Sequence, residues 1–269
     1  MLSYNYLLLT TGDIMNSNQP IIEVKNLYHK FDDKIALNNL NFEIYDGEFL
    51  AILGPSGCGK TTILRILIGL LEPTSGKILM NGADITRQDP SQRNMGIVFQ
   101  NYALFENMTV LQNVQYALKF NKATKKDSKK IALEMLEKMG LSEHKNKKPY
   151  MLSGGQQQRV AIARTLVLHP QIILFDEPMS ALDVETRLAM RSEIKQIQKE
   201  YNTTMIYITH DQEEAFAMAD RVMVMDKSEL VQLDTPLQII KSPCNDYVKK
   251  FVVDNLKTKI NSLAKYIEV

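Results

Sequence analysis

Cysteine is scarce in this sequence, with only Cys58 and Cys244 among 269 residues. Two thiols cannot build the disulfide framework that stands in for a core in small secreted domains, so a reducing cytosol is the expected compartment. Net charge is nearly absent: 32 basic against 31 acidic residues leave +1. That balance gives no chain-wide attraction to nucleic acid or to an anionic membrane, and no nucleic-acid partner is expected. No stretch approaches the roughly 18 consecutive apolar residues that cross a bilayer. The N-terminal "YLLLT" is too short, and lacks the basic flank, for a signal peptide. Work at a membrane would therefore need something else to bring the chain there. Internal repeats and low-complexity segments are missing too. Lysine clusters such as "NKATKKDSKK" read as solvated helix faces, with a phospholipid contact as the alternative.

What is present is an ordinary globular composition, 45% hydrophobic and 23% charged, at a length that suits one core with an inserted subdomain. In "LNNLNFEIYDGEF", Leu40, Phe42 and Ile44 alternate with Asn39, Asn41 and Glu43, the pattern of half-buried antiparallel strands. "FLAILG" reads as a strand buried on both faces, and "TTILRILIGLLEP" as a helix stopped by Pro73. Helical patterns fill 102–155, and strand–helix alternation returns from 171. The expectation is an α/β parallel-sheet core over 15–101 and 156–240, with an N-terminal antiparallel β subdomain and the helical insertion at 102–155. Residues 1–14 would be a flexible extension or an upstream start before Met15. An amphipathic helix over 241–269 places Val248, Phe251, Val252, Leu256, Ile260 and Leu263 at helical spacing.

"GPSGCGKTT" runs from Gly54 through Pro55, Ser56, Gly57, Cys58, Gly59, Lys60 and Thr61 to Thr62 and fits G-x-x-x-x-G-K-[ST]. A triphosphate needs its charge met without large movement. Glycines let successive N–H groups turn inward, and the following helix presents its positive end. Lys60 can reach the β and γ phosphates, and the Thr61 hydroxyl can ligate Mg²⁺. Cys58 reads as a small filler. "IILFDEP" ends a strand with Asp176, a Mg²⁺ holder, and Glu177, which would orient or deprotonate the attacking water, a role worth about 10²- to 10⁴-fold in rate. Gln100 closes "MGIVFQ" and is expected at the metal or the water. His210, in "YITHDQEEA", ends another strand and would hydrogen-bond the γ phosphate.

"LSGGQQQR" contains no acid, histidine or cysteine, so it can neither hold a metal nor move a proton. Together with the motifs above it resembles the signature of the ATP-binding cassette family of transport ATPases, over roughly 21–240. The resemblance implies a P-loop NTPase fold with a RecA-like core, and a signature that binds the γ phosphate of ATP held by a second copy. Ser153 offers a hydroxyl, Gly154 and Gly155 expose amides at a helix start, and Gln156 would contact ribose. "SALD", ending in Asp183, would touch the opposite subunit, and Phe31 would stack on adenine, with Tyr28 as the alternate. The implied cycle is head-to-tail dimer closure on two ATP and opening after hydrolysis.

"QNYALFENMTV" is similar to the importer branch that handles polyamines, ferric iron, sulfate, maltose and phosphonates. There Tyr102, Leu104, Phe105 and Met108 would offer apolar surface to a permease subunit, with Gln100–Met108 as the contact. The expected place is peripheral, at the cytoplasmic face of the cell membrane, with a solute-binding protein as an indirect partner. "MDKSELVQL" lacks the glycines that many relatives place in that turn, and no regulatory β-barrel domain is expected after the tail. The rival readings are a detached exporter ATPase, a nucleotide-binding module without turnover, and a non-transport cassette. The last would carry a long coiled coil between Lys60 and Ser153, where no sustained heptads occur.

Overall fold

The structure is a computed structural model that describes residues 19–120 and 123–264, the last two as backbone. The expected extension over 1–14, Met15 and the Leu263 side chain lie outside what is described. β1 (Pro20–Phe31) and β2 (Lys34–Tyr45) pair antiparallel, with Leu40, Phe42 and Ile44 buried and Asn39, Asn41 and Glu43 exposed. β3 (Phe49–Leu53), fully buried, crosses to a second sheet, while β4 (Ser75–Met80) and β5 (Ala83–Asp84) complete the first in the order β2-β1-β4-β5. The second sheet adds β6 (Met95–Val98), β7 (Ile172–Asp176), β8 (Thr204–Thr209), β9 (Arg221–Asp226) and β10 (Glu229–Asp234), in the order β10-β9-β3-β8-β7-β6. All its pairings are parallel except β9 with β10.

The central strands have apolar side chains throughout because both faces are covered. On β7, Ile172 and Leu174 enter the core shared with the first sheet and α1 (Lys60–Ile68), whereas Ile173 and Phe175 enter the core beneath the helical insertion. On β8, Ile206 and Ile208 against Met205 and Tyr207 divide in the same way. The insertion carries α2 (Val110–Gln115), α3 (Ser128–Lys138) and α4 (Gly154–Leu166). α4 lies so near β6 that a Cβ on Gly96 would collide with the Thr165 methyl. α5 (Val184–Tyr201) and α6 (Gln212–Met218) connect β7, β8 and β9.

Two expectations need correction. α1 stops at Ile68, not at Pro73: Gly69 takes a left-handed φ of 85°, and its amide folds back on the Arg65 and Ile66 carbonyls. The tail is not one amphipathic helix. After a helix at Pro236–Lys241, the tail runs from a short helix, Asp246–Val248, through a π-helical stretch, Lys249–Asp254, to a final helix, Asn255–Ala264. The wider π turn shifts the phase, so Val252 and Val253 are both buried while Ile260 stays 64% exposed.

Register then fixes where chemistry can gather. Leu53 stands opposite Thr209, Asp176 opposite Ile208 and Val98 opposite Phe175. The residues that follow, Gly54, Glu177, His210 and Gln100, therefore emerge along one carboxyl edge, where parallel α/β sheets bind ligands.

Candidate functional site

A cavity of about 470 Å³ opens at that edge. The loop and α1 supply Ser56, Gly57, Gly59, Lys60, Thr61 and Thr62; the strand ends supply Gln100, Asp176 and Glu177; the β1–β2 hairpin supplies Phe31, Lys34, Ile35 and Ala36. Gly59 caps α1 at φ 105°, and a Cβ there would also strike the Ala36 carbonyl oxygen, so glycine is required twice over. No side chain caps α1 and its first turn holds no acid. The first N–H groups of a helix have no partner within it, which leaves an uncapped positive end toward the cavity.

Lys60 is 5% exposed, and its Nζ donates to the carbonyls of Gly54 at 2.8 Å and Pro55 at 3.0 Å. Its carboxylate neighbour, Glu177 Oε1, is 4.0 Å away. Held by these two carbonyls, the Lys60 Nζ sits beside the loop where an incoming anion would bind. Gly54, Pro55 and Cys58 do not line the cavity but shape the loop. A Cβ on Gly54 would lie 2.6 Å from the Met225 carbonyl oxygen, and Cys58 is buried with its thiol pushed up by that burial. Such a thiol is no nucleophile.

Thr61 Oγ1 donates to Asp176 Oδ1 at 3.2 Å. Burial raises the Asp176 carboxyl above the usual carboxylate range, the Thr61 bond opposes this, and adjacent Glu177 adds to it. Glu177 has φ 45°, which turns the chain at the strand end so that both acids line the cavity. Its Oε2 lies 3.0 Å from His210 Nδ1. His210 lines a smaller pocket behind Glu177 together with Ser180, Arg187 and Glu214, and reaches the main cavity through Glu177. Gln100 Nε2 donates to Ser180 Oγ at 3.1 Å, and Ser180 Oγ donates to the Glu177 carbonyl at 3.0 Å.

Asp176, Thr61 and the Gln100 carbonyl make an all-oxygen set suited to a hard cation such as Mg²⁺. The half-buried Asp176 carboxylate is what such an ion would relieve.

Ser153, Gly154, Gly155, Gln156 and Asp183 do not line the cavity of their own chain. Ser153 N-caps α4: its Oγ accepts from Gln156 N at 3.3 Å, while Ser153 N donates to Gln156 Oε1 at 3.1 Å. The Ser153 hydroxyl proton remains free to donate outward. Gly154 and Gly155 pack on Leu182 and Thr186, where a Cβ would stand 3.2 Å and 3.0 Å from those side chains. Asp183 uses both oxygens to cap α5, accepting from Thr186 N at 2.9 Å and Thr186 Oγ1 at 2.7 Å.

Of the expected permease-facing residues, Tyr102 must be corrected: it is buried in the core at 6% exposure, and burial raises its phenol. Phe105 is exposed instead, in a row with Tyr116 at 4.6 Å and Phe120 a further 5.2 Å on. Arg164 donates to the carbonyls of Tyr102 and Ala103, whose φ values are 59° and 46°, holding this strained segment in place. Sequence reasoning missed Lys34, Ile35 and Ala36. The pairing of Phe31 with Lys34 across the two-residue hairpin turn could have found them. Tyr28, the alternate to Phe31, does not line the cavity but pairs with Ser75.

A family model described as ABC transporter matches residues 37–180. The chain is 48% identical over 234 residues to a spermidine/putrescine import ATP-binding protein, PotA, of Oleidesulfovibrio alaskensis, and 46% identical over 235 residues to that of Pasteurella multocida. Each alignment covers 87% of this chain, which spans 63% and 64% of those relatives' lengths. Among solved structures, cbiO1 from Clostridium perfringens, part of the transporter complex cbiONQ, superposes with a TM-score of 0.77 at 29% identity, covering 93% of this chain and 99% of that one. The cassette MJ0796, in a dimeric post-hydrolysis state with ADP and Pi, gives 0.70 at 35% identity, covering 80% of this chain and 98% of that one.

Proposed function

The chain belongs to the ABC transporter family, and we propose that it is the ATP-hydrolysing subunit of an importer, working as a head-to-tail pair at the cytoplasmic face of a membrane. The observation that carries this reading is the meeting of Lys60, Thr61, Asp176, Glu177 and Gln100 in one cavity, while the signature stays on a separate surface of the same chain. Such a division suits a site completed by a second copy.

In this reading the α1 N-terminus and Lys60 bind the β and γ phosphates, and Phe31, 47% exposed at the cavity, stacks on adenine. Thr61, Asp176 and Gln100 would hold Mg²⁺, which neutralises phosphate charge when bound. Glu177 orients the attacking water, and His210, bonded to Glu177 here, takes the γ phosphate when ATP enters. The partner copy contributes the Ser153 hydroxyl, the amides of Gly154 and Gly155, the Gln156 amide and the Asp183 segment. Catalysis is then positioning and electrostatics.

The exposed Phe105 row beside Gln100–Met108 would receive a permease subunit. A spermidine- or putrescine-like polycation is the proposed solute, on the strength of the relatives' names. Glu177→Gln tests the core of the reading. Turnover should fall at least about 10²-fold while ATP binding persists and ATP-loaded dimers accumulate. Unchanged turnover would remove Glu177 from its role. For the solute, labelled spermidine uptake by vesicles containing the assembled transporter should depend on ATP.

A further inference from the structure

We propose that His144 is a positioning residue for the signature, and that it acts as a neutral imidazole protonated on Nδ1. This rests on the reading that Ser153–Gln156 closes the phosphate site of a second copy. Ser153 N–H can only donate, and it reaches Gln156 Oε1 at 3.1 Å. That contact fixes which end of the Gln156 amide is oxygen. The other end, an NH₂ that can only donate, lies 3.1 Å from His144 Nε2. Two donors cannot bond one another, so Nε2 carries a lone pair and the ring proton sits on Nδ1. Nδ1 is buried and has no hydrogen-bond partner among the described residues.

The backbone that carries the ring is held in place. It belongs to the short turn Ser142–His144, and the adjoining loop is tied to the start of α2 by bonds from Leu111 N to Lys145 O and from Val110 N to Lys147 O. Glu143 and Lys145 flank it on its own segment. α4 presents the Gln156 amide, and the nearby Arg159 is occupied by Glu193 of α5 at 2.9 Å. Among the described residues no carboxylate forms an ion pair with the His144 ring. Protonation would set N–H against NH₂. Either the contact opens, or the amide turns over and sets its NH₂ against Ser153 N–H, which breaks the capping box. Both outcomes loosen the helix start that offers the Ser153 hydroxyl and the glycine amides.

The test compares the full-length parent with His144→Gln, which keeps an acceptor that does not titrate near neutrality, and His144→Leu, which has none. ATPase KM is measured from pH 6 to 8.5. His210 is common to all three chains, so differences between them isolate His144. At pH 8 the His144→Leu KM should be about three- to ten-fold above the parent, the loss of one hydrogen bond, with kcat within about two-fold. The parent should approach the His144→Leu value as pH falls, and His144→Gln should stay low throughout. Identical KM values and pH slopes in all three would overturn the proposal. Nitrogen-15 spectra of the imidazole give an answer independent of turnover: an Nε2–H tautomer at pH 8 would also overturn it. Ser153→Ala serves as the control. If that change leaves KM and ATP-driven dimerisation untouched, the signature reading itself has failed, whatever His144 does.

Discussion

Asp176 and Asp183 are carboxyls moved in opposite directions by their surroundings. Burial lifts Asp176, whereas hydrogen bonds from Thr186 N and Oγ1 lower Asp183. The signs of their effects on stability follow. Asp183 stabilises the fold above its unfolded pKa, and loses that effect as pH falls through its lowered folded value. Asp176 behaves inversely: its favourable contribution exists below its unfolded pKa and is lost as pH rises through its raised folded value. At neutral pH an ionised Asp176 therefore strains the ligand-free chain, and the proposed cation would relieve it. Asp176→Asn should melt at or above the parent temperature at pH 7.5 without nucleotide, a margin that narrows on acidification. It should also lose the extra stabilisation that ATP with Mg²⁺ gives the parent. Thermal melts with and without Mg²⁺-ATP check both, and an undiminished shift in the variant would refute the metal assignment.

Among the elements, the β9–β10 hairpin shows how a departure in sequence appears as geometry. Lys227 and Ser228 adopt φ of 45° and 70°. Positive φ at both central positions is what a tight hairpin turn requires. Ser228 offsets its strain by donating to Ile35 O at 3.0 Å and accepting from Asn38 N at 2.8 Å, which ties the turn to β2. Among the described residues Lys227 has no such return. Lys227→Gly should therefore raise unfolding free energy by roughly 0.5–1 kcal/mol in urea titration, leaving ATP turnover unchanged. A destabilised variant would show that the turn is not strained. Other features at this scale were hidden. Arg93 is buried and donates to the carbonyls of Ile66, Leu67, Gln88 and Thr86, supporting the end of α1. No local pattern marks a surface-type arginine as a helix buttress, because its partners come from separate segments.

At the scale of the whole molecule, the separation of loop and signature makes a prediction about symmetry. In the proposed closed two-fold pair each site would draw its phosphate loop from one copy and its signature from the other. Lys60→Ala and Ser153→Arg chains should each be inactive alone. Mixed and reassembled on the permease, they should recover partial ATPase activity, because the mixed pair contains one site with both halves intact. Rates of the mixture no greater than those of the separate variants would argue against shared sites.

The sequence by itself marked the glycine-rich loop before α1, the Asp176–Glu177 strand end and the Ser153 helix start, because each is a local device legible in residue types and spacing. It also determined the alternation of β2 and the doubly buried run of β3. Tertiary structure alone decided that Lys34, Ile35 and Ala36 line the cavity, that Tyr102 is core while Phe105 is surface, and that His144 meets Gln156. Those facts depend on strand register and on loops packed across distant segments. Such contacts are set by which faces find one another in the folded chain, and one-dimensional order does not encode them directly.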